Sequence, residues 1–236
     1  MKKQANNQNS EFSNKNTSLS SILISSIKDG GIEDIGLDIA EIGIDAILDE
    51  GIFQELPIVK TIVSFTKTGL MIRDRLFIKK ILLFLRELDE MPEEKKKEVV
   101  KNIQSNKDYA EKVGETLIIL LEKFDEVEKS RLLARLFSSY IRKVISFEEF
   151  LRYSIGVSNV LLQDIKDLLS YYRDEKDEHI VFWEGLFQGG FSSIRTHKFN
   201  IQGVKELILL TKYEPNFSAE RLAQAILDTS FVKKGN

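Results

Sequence analysis

The chain has no cysteine, three prolines, one tryptophan and two histidines in 236 residues. Without cysteine there is no disulfide, no thiolate zinc site and no cysteine nucleophile, a usage that fits a reducing compartment. The histidines, His179 and His197, stand without a His-x-x-x-His pair or any other partner that would complete a zinc site. Glycine-rich phosphate loops are missing, as is the Gly-x-Ser-x-Gly elbow of the hydrolases. Gly185, Gly189 and Gly190 do not follow a strand-turn-helix pattern, so they read as turn residues. No run of about 18 to 20 apolar residues is free of charge, which argues against a membrane-spanning helix. The first residues, MKKQANNQNSEFSNKN, are polar where a secretory signal would be apolar, so the expected location is cytoplasmic. A formal charge of −3 disfavours a nucleic-acid binder.

What the sequence does have is helical periodicity and opposed blocks of charge. The stretch Pro57 to Asp89 carries apolar residues at Ile58, Ile62, Phe65, Met71, Ile78, Ile81, Leu82, Leu85 and Leu88. That recurrence predicts one or two consecutive amphipathic helices. Lys60, Lys67, Arg75, Lys79 and Arg86 fall within about a third of the turn at 100° per residue, making a basic stripe and the candidate interaction residues. Upstream, Ile32 to Asp49 reads as a helix with an acidic stripe at Asp34, Asp38, Glu41 and Asp45 and small residues at Gly36, Ala40 and Gly43. Nine acids and no base lie between Asp29 and Leu56; seven bases and one acid lie between Pro57 and Arg86. An antiparallel pairing of the two segments is the simplest physical account. Exposed ion pairs are worth about 0 to 1 kcal/mol each, so burial of isoleucine and leucine must supply the stability.

Elsewhere the helix signals are local. Ser18 is placed to cap a helix to about Ile27, ended by Asp29-Gly30-Gly31. Pro92-Glu93-Glu94 restarts a helix with acids at the positive end of its dipole. Helices follow over about 107–123 and 125–144, and Ser146 with Glu149 makes a capping box for the next. After Arg173 the pattern changes: a short strand or hairpin is expected near Phe191 to Arg195, and Gln202 to Leu210 is helix or buried strand. Asn216 or Ser218 caps a last helix to about Thr229. The expected fold is all-α, a bundle of about 8–10 helices with a small C-terminal α/β appendage. Residues 1–17 read as a flexible tail, 18–176 as the helical domain and 177–236 as the appendage.

Three segments carry a family resemblance: LLQDIKDLLSYY (Leu161 to Tyr172), EGLFQGGF (Glu184 to Phe191) and KYEPNFSAERLAQAIL (Lys212 to Leu227). In this layout the chain resembles bacterial abortive-infection Abi-alpha-like proteins. The last segment is similar to a Y-x-L-T-x-x-G-x-x-L ending, with Tyr213 and Leu222 at its two ends. Pro215, Asn216 and Ala219 replace its leucine, threonine and glycine. The middle segment SYIRKVISFEEF (Ser139 to Phe150) is similar to tellurite-resistance TerB-like bundles, without their acidic metal-binding pattern at this place. The resemblance implies a non-enzymatic role in phage defence or stress response, with a protein partner or a membrane as target. The leading expectation is therefore a helical adaptor or effector that acts by protein interaction or self-association, with no cofactor and no resident metal. The alternative is a peripheral membrane-active protein that uses 57–89, and the third reading is a metal-dependent enzyme.

Overall fold

The computed structural model describes residues 18–29, 39, 41, 43, 51–65, 71–175, 182–199 and 208–228, and these are mostly helical with one small antiparallel sheet near the C-terminus. The tail expected over 1–17 lies outside the described residues. Helix α1 spans Leu19–Asp29, and Ser18 Oγ accepts from the Ser21 N–H at 3.3 Å. Leu23, Ile24 and Ile27 form its buried stripe. Of the acidic segment, only Ile39, Glu41 and Gly43 are described: Ile39 is buried, Glu41 and Gly43 exposed. A Cβ added at Gly43 would meet nothing within 4 Å, so the expected small-residue seam does not run through this glycine.

The stretch that starts at Pro57 forms two helices, α3 (Pro57–Phe65) and α4 (Ile72–Asp89), after the single turn of α2 (Gly51–Gln54). From Ile78 to Leu85 every residue of α4 is buried. Such all-round burial marks a central helix rather than a surface helix with one oily face. Helix α4 packs on α7 (Lys129–Ile141) and touches α1, α3 and α6 (Lys107–Lys123). Three of the polar groups buried along it are paired: Lys80 Nζ donates to the carbonyl of Phe124 at the C-terminus of α6, Glu87 accepts from Arg135 Nε at 2.5 Å, and Asp89 accepts from Lys96 Nζ at 2.7 Å. A carbonyl-rich helix end is where a buried lysine is best placed.

Helix α5 (Glu93–Gln104) begins after Pro92 and carries Glu93 and Glu94 in its first turn. Asn106 caps α6, its Oδ1 accepting from the Tyr109 N–H at 3.0 Å. Helix α7 starts four residues later than the periodicity predicts, because the segment from Asp125 to Glu128 is taken up in turns. The expected capping box is present in α8 (Phe147–Ser158): the Glu149 N–H donates to Ser146 Oγ at 3.1 Å, and the Ser146 N–H to Glu149 Oε2 at 2.8 Å. Helix α9 (Leu162–Ser170) runs on into a π turn at Tyr171–Glu175. An aromatic chain Phe84, Phe137, Phe150 and Tyr140, with centroids 5.8 to 6.0 Å apart, ties α4, α7 and α8 together.

The appendage opens with α10 (Trp183–Phe187) and a two-stranded antiparallel sheet, β1 (Ser192–Phe199) and β2 (Ile208–Pro215), with Ile194 opposite Tyr213. The strand expected near Phe191 thus extends to Phe199, and of the ambiguous 202–210 the last three residues belong to β2. Its continuation to Pro215 was not legible in the periodicity. Helix α11 (Phe217–Leu227) is capped by Asn216, whose Oδ1 accepts from the Ala219 N–H at 3.2 Å. It buries Ala219, Leu222, Ala223, Ala225 and Ile226 and packs on α7 and α9. Ser139 Oγ on α7 donates to the Ala225 carbonyl at 2.5 Å. The expected boundary at 177 falls within 176–181, outside the described residues.

Candidate functional site

The five basic residues singled out by spacing do not make one open stripe. Lys60 is exposed and donates to Glu55 Oε2 at 2.6 Å. Lys67 lies outside the described residues. Arg75 and Arg86 are half-buried and Lys79 is buried. Their helical spacing is intact, but neighbouring helices cover α4 on the side where the basic residues lie as well as on its apolar side.

A different place gathers polar groups around open space. Helix α5, the first turn of α6, the end of α7 with the turn after it, and the end of α11 line a cleft made of adjoining open hollows that share lining residues. One arm, about 180 Å³, is lined by Val99, Asn102, Ile103, Tyr109, Tyr140, Ile141 and Lys143. The next, about 460 Å³, shares Val99, Asn102, Ile141 and Lys143 and adds Lys95, Glu98, Arg142, Val144 and Asp228. A third, about 500 Å³, continues past Val144 and Asp228 to Tyr172, Glu220 and Gln224.

The walls are held from behind. Tyr140 stacks on Phe150 at 5.8 Å and meets Phe147 at 5.4 Å, while the Tyr109 and Tyr140 hydroxyls are hydrogen-bonded to each other. Burial pushes the Tyr109 phenol above its ordinary value, so it stays a neutral donor and acceptor. Tyr172 is pushed up to about 12 by burial, with Tyr171 and Glu220 adding to it. Arg142 Nη1 donates to Asp228 Oδ2 at 2.7 Å and Nη2 to Ser139 Oγ at 3.2 Å, which joins the end of α7 to the end of α11.

Lys143 is the one described non-glycine residue with a positive φ, 62°. The cause is the way α7 ends: the Val144 N–H reaches back to the Ser139 carbonyl at 2.9 Å and the Lys143 N–H to the Tyr140 carbonyl at 2.9 Å. This is a Schellman ending, whose left-handed position is usually glycine. A lysine there costs about 1 to 2 kcal/mol in backbone strain. Lys143 and Lys95 are exposed, and neither has an ion-pair partner among the described residues. Of the five expected residues, the four that are described, Lys60, Arg75, Lys79 and Arg86, do not line this cleft. Only the missing glycine after α7, in SYIRKVIS, hints at it in the sequence.

His197 sits on β1 with Nε2 2.6 Å from Glu214 Oε1, and Arg195 Nε is 3.5 Å from Glu214 Oε2. His179 lies outside the described residues. Among the described residues no group of three or more histidine, aspartate or glutamate side chains is placed to hold a metal ion. None of the described helices is long and apolar enough to cross a membrane. Among the described residues the exposed phenylalanines, Phe182, Phe187 and Phe217, lie in the appendage, where Ile194 is exposed too, while Met71, Ile72, Ile119 and Leu161 are exposed on the helical body. No family model, no curated protein and no solved structure matches this chain, so the likeness to Abi-alpha-like and TerB-like proteins rests on the quoted segments alone.

Proposed function

We propose that the chain is a non-enzymatic interaction protein, an adaptor or effector, that engages a protein partner through its C-terminal appendage. One observation carries this reading: the exposed phenylalanines of the described residues are concentrated there, around a two-stranded sheet. Phe187 leans on Tyr213 with ring centroids 5.6 Å apart, and Ile194 is the cross-strand neighbour of Tyr213. Exposed aromatic side chains are what protein interfaces use as anchors. A two-stranded ribbon also offers backbone N–H and C=O groups to a further strand. The alternative, a peripheral membrane role for 57–89, would have to use the exposed Val63, Met71 and Ile72, since Ile62, Ile78, Leu82 and Leu85 are buried. The setting in phage defence or stress response comes from the resemblance, and the appendage adds nothing to it.

Site-specific photocrosslinking in the cells that make the protein tests the proposal. A photoreactive amino acid at Phe187 or Phe217 should give a discrete heavier adduct, whereas the same group at Ile119, exposed on α6, should not. Equal or absent adducts at all three positions would overturn it.

A further inference from the structure

Asp164 is a buried carboxylate in the first turn of α9, where a carboxylate ordinarily bonds back to the N–H groups that open the helix. It does not do so here. The Leu162 N–H donates instead to Glu126 Oε1 at 3.1 Å, and no hydrogen bond or ion pair reaches Asp164 from the described residues. Its carboxyl is roofed by α10. A Cβ on Gly185 would collide with Asp164 Oδ2, so the α10 backbone sits directly on the carboxyl. The same contact buries a second unmet group, Trp183 Nε1 of α10, whose ring stands edge-on to Tyr171 at 5.5 Å. The cations nearby are engaged elsewhere or face water. Arg221 of α11 holds Glu149 and the Val144 carbonyl, Lys129 holds Asp125 and the Val160 carbonyl, and Lys166 is exposed. The remaining described charges and phenols are Glu184 of α10, Glu220 of α11, and Tyr171, Tyr172 and Arg173 of the π turn. None of these acts on Asp164, and Asp167 on α9 itself adds repulsion.

We propose that acid locks α10 onto α9 through Asp164, the contact being loose when this carboxyl is ionised and closed when it is protonated. An ionised carboxyl buried without a partner is costly, whereas its neutral form is cheaper to bury and can itself donate. Burial chiefly, with Asp167 adding to it, raises the Asp164 carboxyl above its ordinary value of 3.8. A carboxyl raised in the docked form penalises docking above its raised pKa. The penalty fades as pH falls through that value and is gone below 3.8. Phe182 precedes α10 and Phe187 ends it, both exposed, so the state of Asp164 sets how firmly these rings are held. That use rests on the partner reading above, but the test needs the chain alone.

Trp183 is the only tryptophan in the chain and lies on α10, so its fluorescence reads the docking. Acrylamide quenching of the full chain is followed from about pH 7 to about pH 4, over the range in which circular dichroism shows it folded. Asp164→Asn removes the charge at nearly constant shape. At neutral pH the parent's Trp183 should be quenched more readily, and emit further to the red, than in Asp164→Asn. The two should converge on acidification. Gly185→Ala, whose Cβ displaces α10 from the carboxyl, should leave Trp183 open to quenching at every pH. The proposal is wrong if Trp183 in Asp164→Asn is quenched as readily as in the parent at neutral pH, or more so. It is equally wrong if the difference stays constant as pH falls, or if Gly185→Ala protects Trp183 as well as Asp164→Asn does.

Discussion

Lys129 Nζ, with no solvent exposure, donates to the Val160 carbonyl at 2.6 Å and to Asp125 Oδ1 at 2.7 Å. One ammonium thereby fastens the turn before α7 to the turn between α8 and α9. Glu126 adds a second strut, its Oε1 accepting from the Leu162 N–H at 3.1 Å. Lys129→Met keeps most of the volume and removes the donor, leaving the Val160 carbonyl without its partner. The expected cost is about 1 to 3 kcal/mol, read as a lower urea midpoint with an unchanged slope. An unchanged midpoint would mean that packing alone holds the two turns.

The capping box of α8 should make stability depend on acid. The Ser146 N–H chiefly, opposed by burial and helped by Arg221, holds the Glu149 carboxyl below its ordinary value of 4.5. A carboxylate depressed in the fold stabilises above its unfolded pKa, and that contribution is lost as pH falls through the folded pKa. The stability gap between the parent and Glu149→Gln should therefore be full at about pH 7 and close on acidification below about 4.5. Burial raises Glu90 and Asp164, which has the opposite sign, but both proteins share those groups, so they cancel in the difference. A gap that is constant from neutral pH to the acid limb would refute the assignment.

Gly114 marks a close backbone-to-backbone contact between two helices. A Cβ there would lie 2.7 Å from Ser20 Cβ and from the Ser20 carbonyl oxygen, so α1 and α6 meet backbone to backbone. Gly114→Ala gains about 1 kcal/mol of helix propensity but should lose about 1 to 3 kcal/mol to overpacking. The net expectation is a lower melting temperature. At Gly43, where a Cβ meets nothing within 4 Å, the alanine variant should not be destabilised by overpacking.

Those two glycines show what can be read from a chain and what cannot. Caps are chemistry between residues three apart, so Ser18 and Ser146 with Glu149 were legible, and Asn216 was one of two candidates. Which small residues meet another backbone depends on helices far away in sequence: Gly114 on Ser20, Gly156 on Gly189 and Phe191. The same reason hid the burial of Lys80, Glu87 and Asp89, whose charges look solvated until Phe124, Arg135 and Lys96 close on them. Strand β2 was obscured because its partner in pairing lies across 200–207, and a run such as Leu209-Leu210-Thr211 suits either period. The cleft draws on α5, α6, α7 and α11, and no local pattern joins those four.

A final expectation concerns whether the body folds without its appendage. Helix α11 covers α7 and α9 with Leu222, Ile226 and three alanines, and it supplies the Ala225 carbonyl to Ser139. Arg221 reaches Glu149 Oε1 at 3.2 Å and the Val144 carbonyl at 2.9 Å, and Asp228 holds Arg142. The appendage also seats Phe191 against Gly156 of α8. Removing 177–236 therefore strips two large aliphatic side chains, worth about 1.5 to 3 kcal/mol each, and leaves Arg142 and Ser139 without their partners. That loss approaches the whole stability of an ordinary domain, about 5 to 15 kcal/mol. The chain ending at 176 should then melt at a much lower temperature or without cooperativity. Leu222→Ala in the full chain should give a graded form of the same defect, about 2 to 5 kcal/mol. Thermal melts followed by circular dichroism decide it. A truncated chain that melts cooperatively at the parent's midpoint would mean that α1 to α9 complete their own core.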